Sequence, residues 1–174
     1  NNIQIEYEDF GLKTNPAIVL IRGLGSQLIH WPSNFVIGFV ELGYRVIIFD
    51  NRDIGLSDRC PKDGMSYDRE SIISAIDAGI EIIPAYSLDD MAMDVIGLMN
   101  ALEIEKAHIF GMSLGGAITQ LLLINHQHRL LSATIVMSAA KLSDPKRIKK
   151  IALQHDNKAE YVENAVNENK IWGN

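Results

Sequence analysis

The sequence predicts an α/β fold, a mainly parallel sheet with helices on both faces, and three observations predict it. Ala17–Ile21 and Tyr44–Asp50 are short, nearly continuous apolar runs, the pattern of strands buried on both sides. Around them lie segments whose apolar residues recur at helical spacing. Strand and helix then alternate along the chain, the connection that parallel strands require. A chain of 174 residues that is 47% hydrophobic can bury one such core.

Ile3, Ile5 and Tyr7 alternate with Gln4, Glu6 and Glu8, which predicts a first strand, Ile3–Tyr7, with one wet face. Phe10 to Pro16 reads as a loop. After the Ala17–Ile21 strand, Gly23-Leu24-Gly25-Ser26 is a break, and a helix from Pro32 to Leu42 is stopped by Gly43. Tyr44–Asp50 is the next buried strand, followed by a polar loop to Asp58. Pro61 to Pro84 has no firm period and reads as an irregular connection with some helix. Ser87-Leu88-Asp89-Asp90 places an N-cap three residues before an acid. Behind it Leu88, Met91, Val95, Leu98, Met99 and Leu102 share one helical face. Ala107–Phe110 is a further strand, a helix runs on to about His128, and Ser132–Ser138 is a fourth buried strand. Asp144-Pro145 opens another helix. The predicted order puts Ala17–Ile21 at the centre, with Tyr44–Asp50 on one side and Ile3–Tyr7 antiparallel outside it. Ala107–Phe110 lies on the other side, with Ser132–Ser138 beyond.

The formal charge of -6 argues against nucleic acid, whose phosphates require a basic surface. Lys146, Arg147, Lys149 and Lys150 read as a solvated helix face. The single cysteine, Cys60, leaves no internal disulfide framework and fits a reducing compartment, so a cytoplasmic location is expected. No apolar stretch reaches membrane-spanning length, and nothing calls for a cofactor or a metal.

Chemistry enters at Gly111-Met112-Ser113-Leu114-Gly115-Gly116, between a strand and a helix. Gly-x-Ser-x-Gly in that setting is a nucleophile elbow, a turn that lifts a serine hydroxyl above the sheet edge. Gly111 and Gly115 are steric requirements of so tight a bend. Ser113 is therefore the candidate nucleophile.

Three segments together carry a family resemblance: Leu20 to Pro32, which contains Arg22-Gly23-Leu24-Gly25; Phe49 to Ser57, which contains Asp50-Asn51-Arg52-Asp53; and Gly111 to Gly116. Their order and intervals resemble those of α/β-hydrolases, and among these of bacterial esterases akin to methylesterases. The resemblance implies hydrolysis of a small-molecule carboxylic ester through an acyl-enzyme on Ser113. The backbone N–H groups of Leu24 and Leu114 would form the oxyanion hole. Arg22 departs from the family, where histidine often precedes the glycine. By the same resemblance, residues 1–140 correspond to the N-terminal portion of the hydrolase core and residues 141–174 to the start of a helical cap. Both termini read as cuts, so the chain is expected to be a fragment of a larger enzyme. The Ser132–Ser138 edge would then be open to oligomerisation.

The family order of nucleophile, acid and histidine is incomplete here. His108 begins the elbow strand, roughly 16 Å from Ser113 at ~3.3 Å per residue. His126 and His128 lie about 20 Å away at the far end of the next helix. Asp144 and His155 have the right order, but one continuous helix would hold them about 15 Å apart. His30, on the loop before Trp31, reads as a pocket-lining or surface residue. The chain alone is expected to be inactive, because a serine without a base stays protonated.

Two rival readings compete. Gly23-x-Gly25 after a buried strand, with Asp50 ending the next, is the outline of a dinucleotide site. However, Leu28 stands where its third glycine should be, and Trp31-Pro32 would interrupt the phosphate-binding helix. The other rival is a non-catalytic hydrolase fold used for binding. Ester, amide, lactone and other bonds are all cleaved on similar folds, so the fold does not choose among them.

Overall fold

The computed structural model describes residues 3–60, 73–75, 77–80 and 84–139. The chain divides into two compact units, Asn1–Asp68 with Glu81–Ala140, and Arg69–Ile80 with Lys141–Asn174. In the second unit the described residues form a short helical turn, in which Ala78 N–H donates to Ser74 O at 3.0 Å. The segment from Asp144 to His155 lies outside the described residues.

The first unit is a five-stranded sheet. Its strands are β1 (Tyr7–Phe10), β2 (Ala17–Ile21), β3 (Arg45–Phe49), β4 (Ala107–Met112) and β5 (Leu130–Val136), in the spatial order β1-β3-β2-β4-β5. β1 pairs antiparallel with β3, and the other neighbours are parallel. This is the predicted order.

Helix α1 (Ser33–Glu41) joins β2 to β3, α2 (Leu88–Ala101) precedes β4, and α3 (Leu114–Asn125) joins β4 to β5. The alternate residues of each buried strand feed two cores. Val19, Ile21, Ile47 and Ile109 pack with α2 and α3 residues such as Val95 and Ile118. Ile18, Leu20, Val46 and Ile48 pack with Trp31 and Val36 on the α1 side. Each fully buried aliphatic side chain contributes roughly 1.5–3 kcal/mol, which is why both faces of these strands are apolar. Helix α1 lies on one face and α2 and α3 on the other because right-handed crossovers force that split where the winding reverses at β2.

Three boundaries differ from the sequence expectation. The first strand is Tyr7–Phe10 rather than Ile3–Tyr7, because Tyr7 already pairs with Phe49, the last residue of β3. Residues 4–6 run past that end and bond to the following loop: Glu6 O accepts from Asp50 N at 3.0 Å and Gln4 O from Asp58 N at 2.9 Å. Their alternation is real, but the partner is a loop rather than a strand. The last strand begins two residues early, at Leu130, and ends at Val136. Helix α3 stops at Asn125, and a 3₁₀ turn, Gln127–Arg129, continues it toward β5. The helix before β4 opens as expected, with Ser87 and Asp90 forming a reciprocal capping box. Among the described residues, no helix is long and apolar enough to cross a membrane.

Candidate functional site

β2, β3, β4 and β5 run parallel, so the segments that follow them gather at one edge of the sheet. Three of those segments are the ones the sequence singled out.

Ser113 stands between β4 and α3 with φ 56° and ψ -115°, a left-handed conformation that a non-glycine residue adopts only at a cost of about 1–3 kcal/mol. Two backbone bonds fix it there. Its N–H donates to Val136 O of β5 at 2.9 Å, and its carbonyl accepts from Gly116 N at 3.0 Å in the first turn of α3. The two elbow glycines allow the bend. A methyl on Gly111 would overlap Thr119 Oγ1 and the Gly115 carbonyl, and one on Gly115 would overlap the Ile21 carbonyl of β2. Ser113 itself is exposed, and among the described residues its hydroxyl has no hydrogen-bond partner.

The loop after β2 lies against this serine. A Cβ placed on Gly23 would sit 3.2 Å from Ser113 Cβ and 3.6 Å from Ser113 Oγ. Gly23 to Ser26 form a turn closed by Ser26 N–H on Gly23 O at 3.3 Å, with Gly25 at φ 70°. The peptide N–H of Leu24 is thus one residue from the point of contact with Ser113. Leu114 is the first residue of α3, so its N–H is among the donors that a helix leaves without an intrahelical acceptor.

The third segment, after β3, is an internal brace. Buried Asp50 accepts from Leu28 N at 2.6 Å and from Leu56 N at 3.1 Å. Asp50 is buried with both carboxylate oxygens bonded to the protein's own backbone, which argues against its serving as the ribose-binding acid of the dinucleotide reading. Asn51 Nδ2 donates to Arg22 O at 3.3 Å. Arg52 forks onto Asp94 of α2, Nε to Oδ2 at 2.6 Å and Nη2 to Oδ1 at 2.7 Å, with its guanidinium 4.7 Å from the centre of the Tyr86 ring. Burial pulls the Arg52 guanidinium down, the Asp94 bonds raise it, and the net shift is upward. Burial and a hydrogen bond to Asp53 push the Tyr86 phenol above its ordinary value.

The Arg52–Asp94 pair was not foreseen from the sequence. The available signal was an acid, Asp94, beside Met91 and Val95 on the buried side of a helix.

The described histidines are engaged away from Ser113. His30 Nδ1 accepts from Gln27 N at 3.0 Å, closing a 3₁₀ turn (Leu28–His30). His108 Nδ1 shares a hydrogen bond with Ser132 Oγ at 2.8 Å. His126 caps the end of α3, where its N–H donates to Leu122 O at 2.8 Å, and its ring neighbours that of His128. Among the described residues, no group of three or more His, Cys, Asp or Glu side chains is placed to hold a metal ion.

A model of the alpha/beta hydrolase fold matches residues 16–167. The chain belongs to the α/β-hydrolase family. Over 133 residues the chain is 31% identical to rhodomycin D methylesterase of Streptomyces peucetius, a match spanning 76% of this chain and 38% of that protein. It is 30% identical over 132 residues to a 3-oxoadipate enol-lactonase of Acinetobacter baylyi, spanning 76% of this chain and 40% of the relative. The crystal structure of the enol-lactonase from Burkholderia xenovorans LB400 superposes with a TM-score of 0.72 at 25% identity, covering 95% of this chain and 56% of that one. The chain therefore spans about two fifths of the length of those curated relatives.

Proposed function

We propose that the protein hydrolyses carboxylic esters or lactones of small molecules through an acyl-enzyme on Ser113. The observation that carries this reading is the strained, exposed Ser113 with Gly23 of the β2 loop packed against its hydroxyl. In the reaction Ser113 Oγ bonds to the substrate carbonyl carbon as its proton passes to a base. The carbonyl oxygen takes the negative charge between the N–H groups of Leu24 and Leu114. Collapse expels the alcohol, which takes the proton, and water then releases the acid from Ser113 by the same steps. The names of the relatives support an ester or lactone as the bond attacked. The base and its orienting acid are assigned to groups outside the described residues, since His30 and His108 each spend Nδ1 on another partner and His126 and His128 follow the far end of α3.

That same commitment favours a second reading, a hydrolase fold used only for binding. Turnover of 4-nitrophenyl acetate separates the two. The product of the complete reading frame should hydrolyse it, and Ser113→Ala should lower kcat by at least about 10³-fold. The chain of 174 residues should be no faster than its own Ser113→Ala variant, because groups that act as a unit are not additive. A complete product that turns over no ester would favour binding. Enzyme-like rates from the 174-residue chain, lost on Ser113→Ala, would place the base within it.

A further inference from the structure

Among the described residues, Arg45 and Arg52 are buried on carboxylates, whereas half-buried Arg22 is not. Arg45 forks onto Asp9 at 3.0 and 2.8 Å, and Arg52 forks onto Asp94 at 2.6 and 2.7 Å. Arg22 has no carboxylate. Its guanidinium lies 4.7 Å from the centre of the Trp31 ring, its Nη2 reaches Ser26 Oγ at the long distance of 3.4 Å, and its Nε is enclosed without an acceptor. Burial alone acts on it, holding its proton affinity below the ordinary arginine value. A partly desolvated cation without an anion is costly, and proteins normally supply the partner. Here the partner is missing at the residue next to Gly23, whose backbone touches Ser113. The outer nitrogen Nη1 makes no hydrogen bond and, unlike Nε, is not enclosed. Trp31 holds the guanidinium carbon 4.7 Å from its ring centre, and Nη1 is left to give a carboxylate a charge-assisted hydrogen bond. The charged groups of the adjoining loop cannot take its place, since Asp50 and Arg52 are bonded inward.

We infer that Arg22 binds a carboxylate on the substrate, so that the ester or lactone cleaved at Ser113 also carries a free acid group a few bonds from the scissile carbonyl. This rests on the hydrolase reading only in assigning the carboxylate to a substrate. It gives the departure from the family's histidine a role in specificity: a histidine would be mostly neutral at pH 7, whereas arginine stays charged.

Two measurements test it. In the first, the chain is titrated with monomethyl glutarate and with neutral dimethyl glutarate while the Arg22 Nε–H resonance is followed by NMR. The monoanion should bind about ten- to a hundredfold more tightly, the scale of a charge-assisted hydrogen-bond pair. Arg22→Met should abolish the preference, and Arg22→Lys should retain part of it. Equal binding of the two esters by the unmodified chain would overturn the inference even if the variants failed to fold, as would a preference that survives in Arg22→Met.

In the second, the product of the complete reading frame is assayed with 4-nitrophenyl hydrogen glutarate and 4-nitrophenyl pentanoate, after subtraction of the spontaneous rates. The charged ester should be preferred at least tenfold in kcat/KM, chiefly through KM, and Arg22→Met should depress it at least tenfold more than the neutral ester. Equal turnover of both would sink the role of Arg22 and leave the hydrolase intact. Arg22-dependent binding of the monoanion without turnover of either ester would do the reverse.

Discussion

The loop after β3 and the elbow after β4 lie at the same edge of the sheet, and they use their residues in opposite ways. The β3 loop is rich in groups that look chemical, Asp50, Arg52 and Asp53, and each is bonded to the protein itself. The elbow has one polar side chain, held at φ 56° with its hydroxyl free. A charged motif that has satisfied its own bonds is architecture. A strained residue with an unspent hydroxyl is the better sign of a reaction.

The largest effect that would break this comparison is on the brace. Asp94→Ala leaves the Arg52 guanidinium buried without its anion, which should cost about 3–5 kcal/mol. Urea unfolding should show the midpoint falling with little change in slope. A loss below about 1 kcal/mol would mean that the pair is no more than a surface contact.

A smaller effect of opposite sign sharpens the other half. Ser113→Gly removes the proposed nucleophile, yet it should stabilise the fold by about 1 kcal/mol, since glycine accepts the elbow conformation without steric penalty. Asp53, at φ 66°, is a control, because aspartate tolerates the left-handed region better than most residues. Destabilisation by Ser113→Gly in the same urea experiment would show that the elbow holds no strain.

The smallest effect depends on pH. The Ser87 backbone N–H and hydroxyl, both hydrogen-bonded to the Asp90 carboxylate, hold it below its ordinary value. A depressed carboxylate contributes stability that is present above the unfolded value of about 3.9 and lost as the pH falls through the folded one. Asp90→Ala should therefore cost about 1 kcal/mol near neutrality, the usual worth of a cap. The difference from the parent should close as the pH drops below about 4. A difference that stayed constant across the acid range would assign the loss to packing rather than to the charged cap.

Much of this was legible in the sequence because it depends on neighbours along the chain. The apolar runs at Ala17–Ile21 and Ala107–Phe110 fix strands, Ser87 with Asp90 marks a helix start, and Gly111, Ser113 and Gly115 mark the elbow. What was not legible depends on distant partners. Tyr7–Phe10 became the paired strand because β3 ends at Phe49, 42 positions beyond Tyr7 in the chain. Arg52 finds Asp94 across a similar separation, and no local pattern marks one arginine as paired and Arg22 as alone. His30 reads in the sequence as a pocket-lining or surface residue and is exposed, but the use of its ring to close a 3₁₀ turn carries no local signal.

The bond from Ser113 N–H to Val136 O has a consequence for how the protein reports its own integrity. Val136 ends β5, the outermost strand among the described residues, so the elbow's conformation is secured from the sheet's margin rather than from its middle. A strand at the margin of a sheet pairs on one side only, so it can open while the middle of the sheet stays closed. If β5 peels away, the Ser113 amide loses its acceptor and exchanges its proton with water while the β2–β3 ladder stays closed. The conformation of Ser113 is thus tied to β5, and that single amide serves as a gauge of whether β5 is in place.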